Sequence, residues 1–419
     1  MTDGESPAGN APHANGRIVS LDYVRGVAVL GILFANIVAF SQPMLATVWP
    51  GALPHTMSRA DEAVWLFQYL FIDGKMRGLF TLLFGAGMVL FVDGKGAWLQ
   101  VRRLFWLALF GLAHFFLLFR GDILFTYALC GMVALPWVRL GARQLLVAGA
   151  LVYAIGALFS AAIDLPRLSI EGQVLAACPA QVECLTAPHE QAYWEAVDQT
   201  RARMVAETDA MQSGFQTIVR YTWQAHRWEP LEGVVLGLFE TVPLMLLGMG
   251  LMRAGFFAGR YRGRTLAVWG LGAMTLGVLA TLPLALWVRD AGYPLYRASF
   301  AFLGPAQLLR LPTILGMAAC LVALSSSGTR GWLGERLVAS GRMAFSNYLG
   351  TSLLMAFLFQ GWGLGRFGEP DRVDMLRYVL GGWIAMLAWS KPWLARFRYG
   401  PLEWLWRCLV YGRIFPLRR

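Results

Sequence analysis

Charge is scarce in this chain. Asp, Glu, Lys and Arg together make up 15% of its 419 residues, whereas soluble domains carry about 25%. With 57% hydrophobic residues and a mean hydropathy of +0.52, this excludes an ordinary soluble domain and leaves an all-α, polytopic helical membrane protein. Histidine and cysteine are scarce too, at five each. The histidines (His13, His55, His114, His189 and His226) are scattered, and no His/Cys pair has metal-ligand spacing, so neither a structural metal nor a bound cofactor is expected. G-x-S-x-G and Walker A patterns are absent. Gly363-Leu-Gly-Arg-Phe-Gly368 does match G-x-G-x-x-G, but no strand precedes it, so it is no dinucleotide loop. Also missing is a basic stretch directly ahead of a short apolar run, so no cleavable signal is expected. Residues 1–16, polar and rich in Gly, Ala and Pro, read as a disordered cytoplasmic tail.

What is present is a succession of apolar runs. A span needs about 20 apolar residues, and candidates lie near 24–44, 76–93, 102–119, 122–138 and 144–164, then 231–252, 264–288, 306–325, 342–360 and 375–390. That makes about ten transmembrane helices. The net charge of +11 sits in alternate loops: at Arg17 and Arg25, at Lys95, Arg102 and Arg103, at Arg139 and Arg143, at Arg253 to Arg264, at Arg330 to Arg342, and in the tail. This is the positive-inside pattern. It predicts an inner-membrane protein with both termini cytoplasmic, and it removes any need for nucleic acid as a partner. Residues 17–164 form an N-terminal membrane bundle. Residues 231–419 form a C-terminal membrane domain ending in an interfacial cytoplasmic tail, where Trp and Arg alternate. Between them, 165–230 is the one long hydrophilic segment, with five Arg against eight acids, and is expected to be an extracytoplasmic loop. It carries Cys178 and Cys184, which are expected to form a disulfide, as an exported loop allows, with two free thiols as the alternative.

Polar residues inside apolar runs are functional candidates, because an unpaired polar group in lipid is costly. In the first run Asp22 and Arg25 are three apart and can pair on one face. Asn36 lies eleven residues beyond Arg25, about 16 Å along the helix, and serves either function or helix packing. Asp73-Gly-Lys75-Met-Arg77 interrupts residues 61–93, as a break at membrane depth or as an outer loop. His114 lies just before a tight turn, Arg120-Gly-Asp122, which leads to Tyr127. A histidine there can move a proton near neutral pH, or simply bond a carbonyl. Glu240 and Arg310 lie mid-span, lining the same cavity or pairing with one another.

Taken together, Leu21-Asp22-x-x-Arg25-Gly26 with Asn36, Asp73-Gly-Lys75-x-Arg77 ahead of Gly85-Ala-Gly87, Gly111-Leu-Ala-His114 with Gly121-Asp122 and Tyr127, Gly341-Arg342 with Asn347-Tyr348, and Phe397-Arg-Tyr-Gly400 with Trp404 resemble the YeiB-type family of bacterial inner-membrane proteins, whose C-terminal region is a domain of unknown function. The first motif is more distantly similar to membrane acyltransferases. In the O-antigen and peptidoglycan acetylating type, a histidine follows the Arg by eleven residues, where this chain has Asn36. Heparan-alpha-glucosaminide N-acetyltransferase, with an Asn there and a histidine in the next lumenal segment, is the nearer resemblance. By that analogy His55, ahead of Asp61, would be the catalytic histidine.

Two functions follow as expectations. One is acyl transfer from acyl-CoA to an envelope glycan or lipid head group. Here His114 or His55 is the base, Asp122 orients it, and Asn36, Arg25 or Arg77 donates to the oxyanion. The site would gather Asn36, Arg77, His114 and Asp122 in an outward-opening cavity, with Asp22, Asp73, Lys75, Arg120, Tyr127 and Glu240 as further substrate contacts. The other is transport of a small or lipid-like substrate past the same residues; a third reading is a non-catalytic membrane subunit. The topology predicts that a reporter active only in the cytoplasm is silent when fused after Glu190 and active at Arg419; activity at Glu190 would overturn it.

Overall fold

A computed structural model describes residues 18–53, 57–177 and 188–419. They are overwhelmingly helical, and no strand forms among them. α1 (Val19–Ser41) leads through two short 3₁₀ turns to α2 (Arg59–Phe67), whose start is fixed by a Ser58–Asp61 capping box. The path continues through a π turn, Gln68–Ile72, into α3 (Lys75–Lys95). Gly74 makes the break: its φ is +71°, and a Cβ would lie 2.1 Å from Arg310 Nη1, so only glycine fits here.

α4 (Ala97–Leu117) and α5 (Leu124–Ala134) form a hairpin. α6 (Ala142–Ala177) follows, then α7 (Pro188–Met211), α8 (Phe215–His226) and α9 (Glu229–Arg253). α10 (Gly263–Asp290), α11 (Leu295–Leu303), α12 (Pro305–Gly328), α13 (Gly331–Arg342), α14 (Ala344–Phe359), α15 (Arg372–Arg396) and α16 (Pro401–Tyr411) complete the chain.

Six helical segments are long and apolar enough to cross a membrane: Val19–Ser41, Arg59–Lys95, Ala142–Ala177, Glu229–Arg253, Gly263–Asp290 and Pro305–Gly328. The apolar helices Leu124–Arg139 and Ala344–Phe359 are shorter. The segment expected to be a hydrophilic loop is largely helical. α6 runs on for 36 residues, about 54 Å, well beyond a hydrocarbon core of about 30 Å. α7 and α8 return over the same end of the bundle. They form a cap there, and the Arg-rich helix ends lie at the other, basic end. The stretch holding Cys178 and Cys184 lies outside the described residues, as does the 1–16 tail.

Helices in lipid associate by close packing rather than hydrophobic drive, so small residues sit at their crossings. Two crossings are reciprocal. A Cβ on Gly26 would lie 2.0 Å from Leu337 O, and one on Gly341 would lie 1.8 Å from Asp22 O, so α1 and α13 touch backbone to backbone. Gly85 against Met245 O (2.1 Å) and Gly248 against Leu82 O (2.0 Å) do the same for α3 and α9. At the basic end Glu403 of α16 accepts from the Phe345 and Ser346 amides at 2.8 and 3.0 Å. A carboxylate at the start of α14 satisfies orphan N–H groups and pins α16 beneath the bundle.

Gly341→Ala should therefore destabilise the purified chain by about 1–3 kcal/mol, read as a lower melting temperature in nanodiscs. Gly350→Ala, where a Cβ meets nothing within 4 Å, should be neutral or slightly stabilising. Equal behaviour of the two variants would contradict the close crossing.

Candidate functional site

The α4–α5 hairpin brings His114 and Asp122 together. His114 Nδ1–H donates to Asp122 Oδ1 at 2.7 Å, and both side chains are sealed from solvent, at 0% and 1% accessible. The other Asp122 oxygen accepts from the Phe125 amide at 2.8 Å, so one carboxylate both caps the start of α5 and fixes the imidazole. Gly111 leaves room for this: a Cβ there would lie 2.3 Å from the Phe125 amide and 2.8 Å from Asp122 Oδ2. With Nδ1 committed to Asp122, Nε2 is the ring nitrogen left for another contact. It is buried and without a partner among the described residues. The rings packed on the imidazole are Tyr348 and Phe119, with centroids 5.1 and 6.1 Å away.

Tyr348 and Phe119 belong to different cavities. Tyr348, Ile123, Leu124 and Tyr127 line the inner end of a cavity of about 170 Å³ whose mouth at the basic end carries Arg25, Arg103 and Arg342. Arg103 is held there by stacking on Trp406 at 4.6 Å and on Phe91 at 5.0 Å. Phe119 lines a smaller pocket of about 30 Å³ under the cap, with Phe40, Gln360 and Glu207 in its wall. The imidazole thus packs on one ring from each cavity wall. One stripe of α1 runs past both: Arg25, Val29 and Ile32 line the first cavity, Asn36 comes next, and Phe40 stacks on Phe119 at 3.9 Å. The Asn36 side chain is half-buried and makes no hydrogen bond among the described residues.

The remaining expected residues fall into separate groups. Asp22 and Arg25 pair at 3.2 Å. Arg77 does not join the dyad; it pairs with Glu240 at 2.6 Å, and Glu240 reaches Arg310 at 3.5 Å. Arg77 keeps 44% of its side chain accessible, and at mid-span a guanidinium is tolerated that way only where water or a polar group reaches it. Tyr127 donates to Arg77 O at 3.0 Å and shares a hydrogen bond with Thr81 at 2.6 Å. Asp73 and Lys75 are buried at the Gly74 break, not in an outer loop: Lys75 donates to Tyr69 O, and Asp73 faces Lys75, Arg372 and Arg310. The Arg120 guanidinium is taken up by the cap, bonding Glu207 at 2.7 Å and Glu229 at 2.8 Å, while His226 bonds Glu229 at 2.6 Å. His55 lies outside the described residues.

Arg103, Arg342, Tyr348 and Glu403 carry the cavity yet have no role assigned from sequence. The available signal was the spacing of Phe345 and Tyr348, three residues apart, which puts them on one face of α14.

Comparison with known proteins returns relatives along the whole chain. It is 32% identical over 407 residues to the uncharacterized protein YeiB of Escherichia coli K12, covering 96% of this chain and 98% of the relative. It is 29% identical to the uncharacterized protein YxaH of Bacillus subtilis 168, covering 97% of each. An uncharacterized 39.9 kDa protein of Bacillus acidopullulyticus is 28% identical, covering 96% of each. Residues 251–413 match a family described as a protein of unknown function, DUF418. No solved structure matches the chain.

Removing the shared carboxylate should be costly. Glu240→Gln leaves Arg77 and Arg310 facing one another and should lower stability by about 1–3 kcal/mol, less than the ~3–5 of a sealed pair because Arg77 is partly accessible. Adding Arg77→Gln should recover part of the loss in nanodisc melting. A neutral single variant would contradict the pairing.

Proposed function

The chain belongs to the YeiB family of bacterial membrane proteins, and we propose that it transfers an acyl group from a thioester donor at the basic end to a hydroxyl acceptor arriving under the cap. The observation that carries this reading is the His114–Asp122 dyad, whose imidazole packs on Tyr348, a wall of a cavity that Arg25, Arg103 and Arg342 also line. Arginine forks suit phosphate, so acyl-CoA is the donor that fits such a mouth. By the positive-inside rule the basic end faces the cytoplasm. The acceptor, an envelope saccharide or lipid head group, would then come from the other side of the inner membrane.

The chemistry follows from the dyad. His114 Nε2 takes the acceptor's hydroxyl proton as its oxygen attacks the thioester carbonyl. Asp122 holds the imidazole in place and stabilises the imidazolium. The tetrahedral oxyanion needs donors. Tyr348, packed on the imidazole and bonded to Gly121 O at a long 3.5 Å, is one candidate, and the Asn36 amide, on the α1 stripe between the cavity-lining Ile32 and Phe40, is the other. Collapse expels the thiolate, which takes the proton from His114 and leaves as the free thiol, with the acyl group now an ester on the acceptor. Because Nε2 is sealed, access requires a side chain to move, and Tyr348 and Phe119 are the two rings that cover it.

Transport is the second reading, and the Arg77–Glu240–Arg310 chain at mid-span favours it, since coupling carboxylates in transporters lie at that depth. The two readings part on envelope chemistry. Mass spectrometry of envelope lipids and glycans, with and without the protein, should show an acyl mass increment that depends on it. His114→Ala should cut its formation about 10²–10⁴-fold with insertion intact. Asp122→Asn and Gly111→Ala should cost less. Should His55→Ala be inactive and His114→Ala active, the site moves to the segment after α1. With no increment, and uptake lost in Glu240→Gln, transport takes its place.

A further inference from the structure

The capped end holds a second cleft, apart from the dyad. It runs between α7, the extension of α6 and the turn joining α10 to α11, as two cavities of about 380 and 330 Å³ that share Leu295 as a wall. The first is walled by Trp49, Tyr193, Trp194 and Tyr293, with Arg201 beside them. Aromatic residues at the end of a membrane bundle ordinarily form a belt facing lipid headgroups. Here Trp49, Tyr193 and Tyr293 are only 3%, 4% and 8% accessible, so they are turned into the protein and serve no belt.

The rings are held firmly. Trp49 Nε1 donates to Tyr293 O at 3.0 Å, and the Tyr193 hydroxyl donates to Glu171 at 2.9 Å. Arg201 lies over the Trp49 ring at 5.8 Å. Tyr293 is also the one non-glycine with positive φ (+58°) among the described residues, a conformation that persists only where surrounding contacts enforce it and that gathers at ligand clamps. Two donors of this wall, the Trp194 indole N–H and the Tyr293 hydroxyl, are buried and have no hydrogen-bond partner among the described residues. The adjoining cavity adds Asp164, Arg167, Thr200 and Ser299, a row of carboxylate, guanidinium and hydroxyl groups.

We propose that this cleft binds a saccharide. Flat apolar sugar faces stack on aromatic rings, ring hydroxyls accept from Trp194 and Tyr293, and a second sugar unit bonds the polar row next door. Arg167 and Asp164 pair at 3.5 Å, but a lipid acyl chain would leave the Trp194 and Tyr293 donors without a partner. The inference stands on the cleft alone and does not require His114 to be a base.

The test uses the full chain in nanodiscs on an array of bacterial surface oligosaccharides. A subset should be retained above empty nanodiscs. Trp194→Ala should weaken the retained glycan roughly tenfold, and Tyr293→Phe several-fold, both at the wild-type melting temperature. His114→Ala should bind like wild type, which separates this cleft from the transfer reading. If Trp194→Ala lowers the melting temperature, Tyr293→Phe alone decides. No retention above empty nanodiscs, or retention indifferent to the deciding variants, would overturn the proposal.

Discussion

A polar group inside a membrane span has no water to turn to, so it must find a partner in the protein or face a cavity. The placement of this bundle's intramembrane residues follows from that constraint. Asp73, Lys75 and Arg310 gather where Gly74 breaks the backbone, and Glu240 bridges Arg77 to Arg310. His114 and Asp122 satisfy each other across one hairpin. One exception bears on function: among the described residues Nε2 of His114 is buried without a partner, behind Tyr348 and Phe119, the rings that wall two different cavities.

The architecture serves that arrangement. Backbone-to-backbone crossings at Gly26–Gly341 and Gly85–Gly248 hold α1, α3, α9 and α13 rigidly enough for a cavity to persist beside them. Glu403 and the Arg103–Trp406 stack fix α16 under the mouth, and Arg120 ties the cap to the outer end of the hairpin through Glu207 and Glu229. On the proposed reading these would hold a donor side and an acceptor side with a base between them, and Tyr348 or Phe119 would have to move to open the way to the imidazole.

How much of this was legible in the sequence depends on contact distance along the chain. Asp22–Arg25 follows from helical spacing, and His114–Asp122 from eight residues spanning one tight turn. Arg77–Glu240 joins residues 163 apart, and nothing local announces it, so Arg77 was grouped with the dyad when it belongs to a separate chain of charges. The cavity was illegible for the same reason, since Arg25, Arg103, Arg342 and Trp406 come from four segments. The extension of α6 past residue 164 and the helical cap were read as loop because their composition is polar, and polarity reports solvent contact rather than backbone conformation.

The central claim is that a phosphate-bearing thioester binds with its reactive carbonyl at His114. The most direct measurement is a structure of the full chain in nanodiscs with a non-hydrolysable acetyl-CoA analogue. The account predicts phosphates among Arg25, Arg103 and Arg342 and the carbonyl within about 3.5 Å of His114 Nε2. An analogue bound elsewhere, or none bound at millimolar concentration, would contradict it.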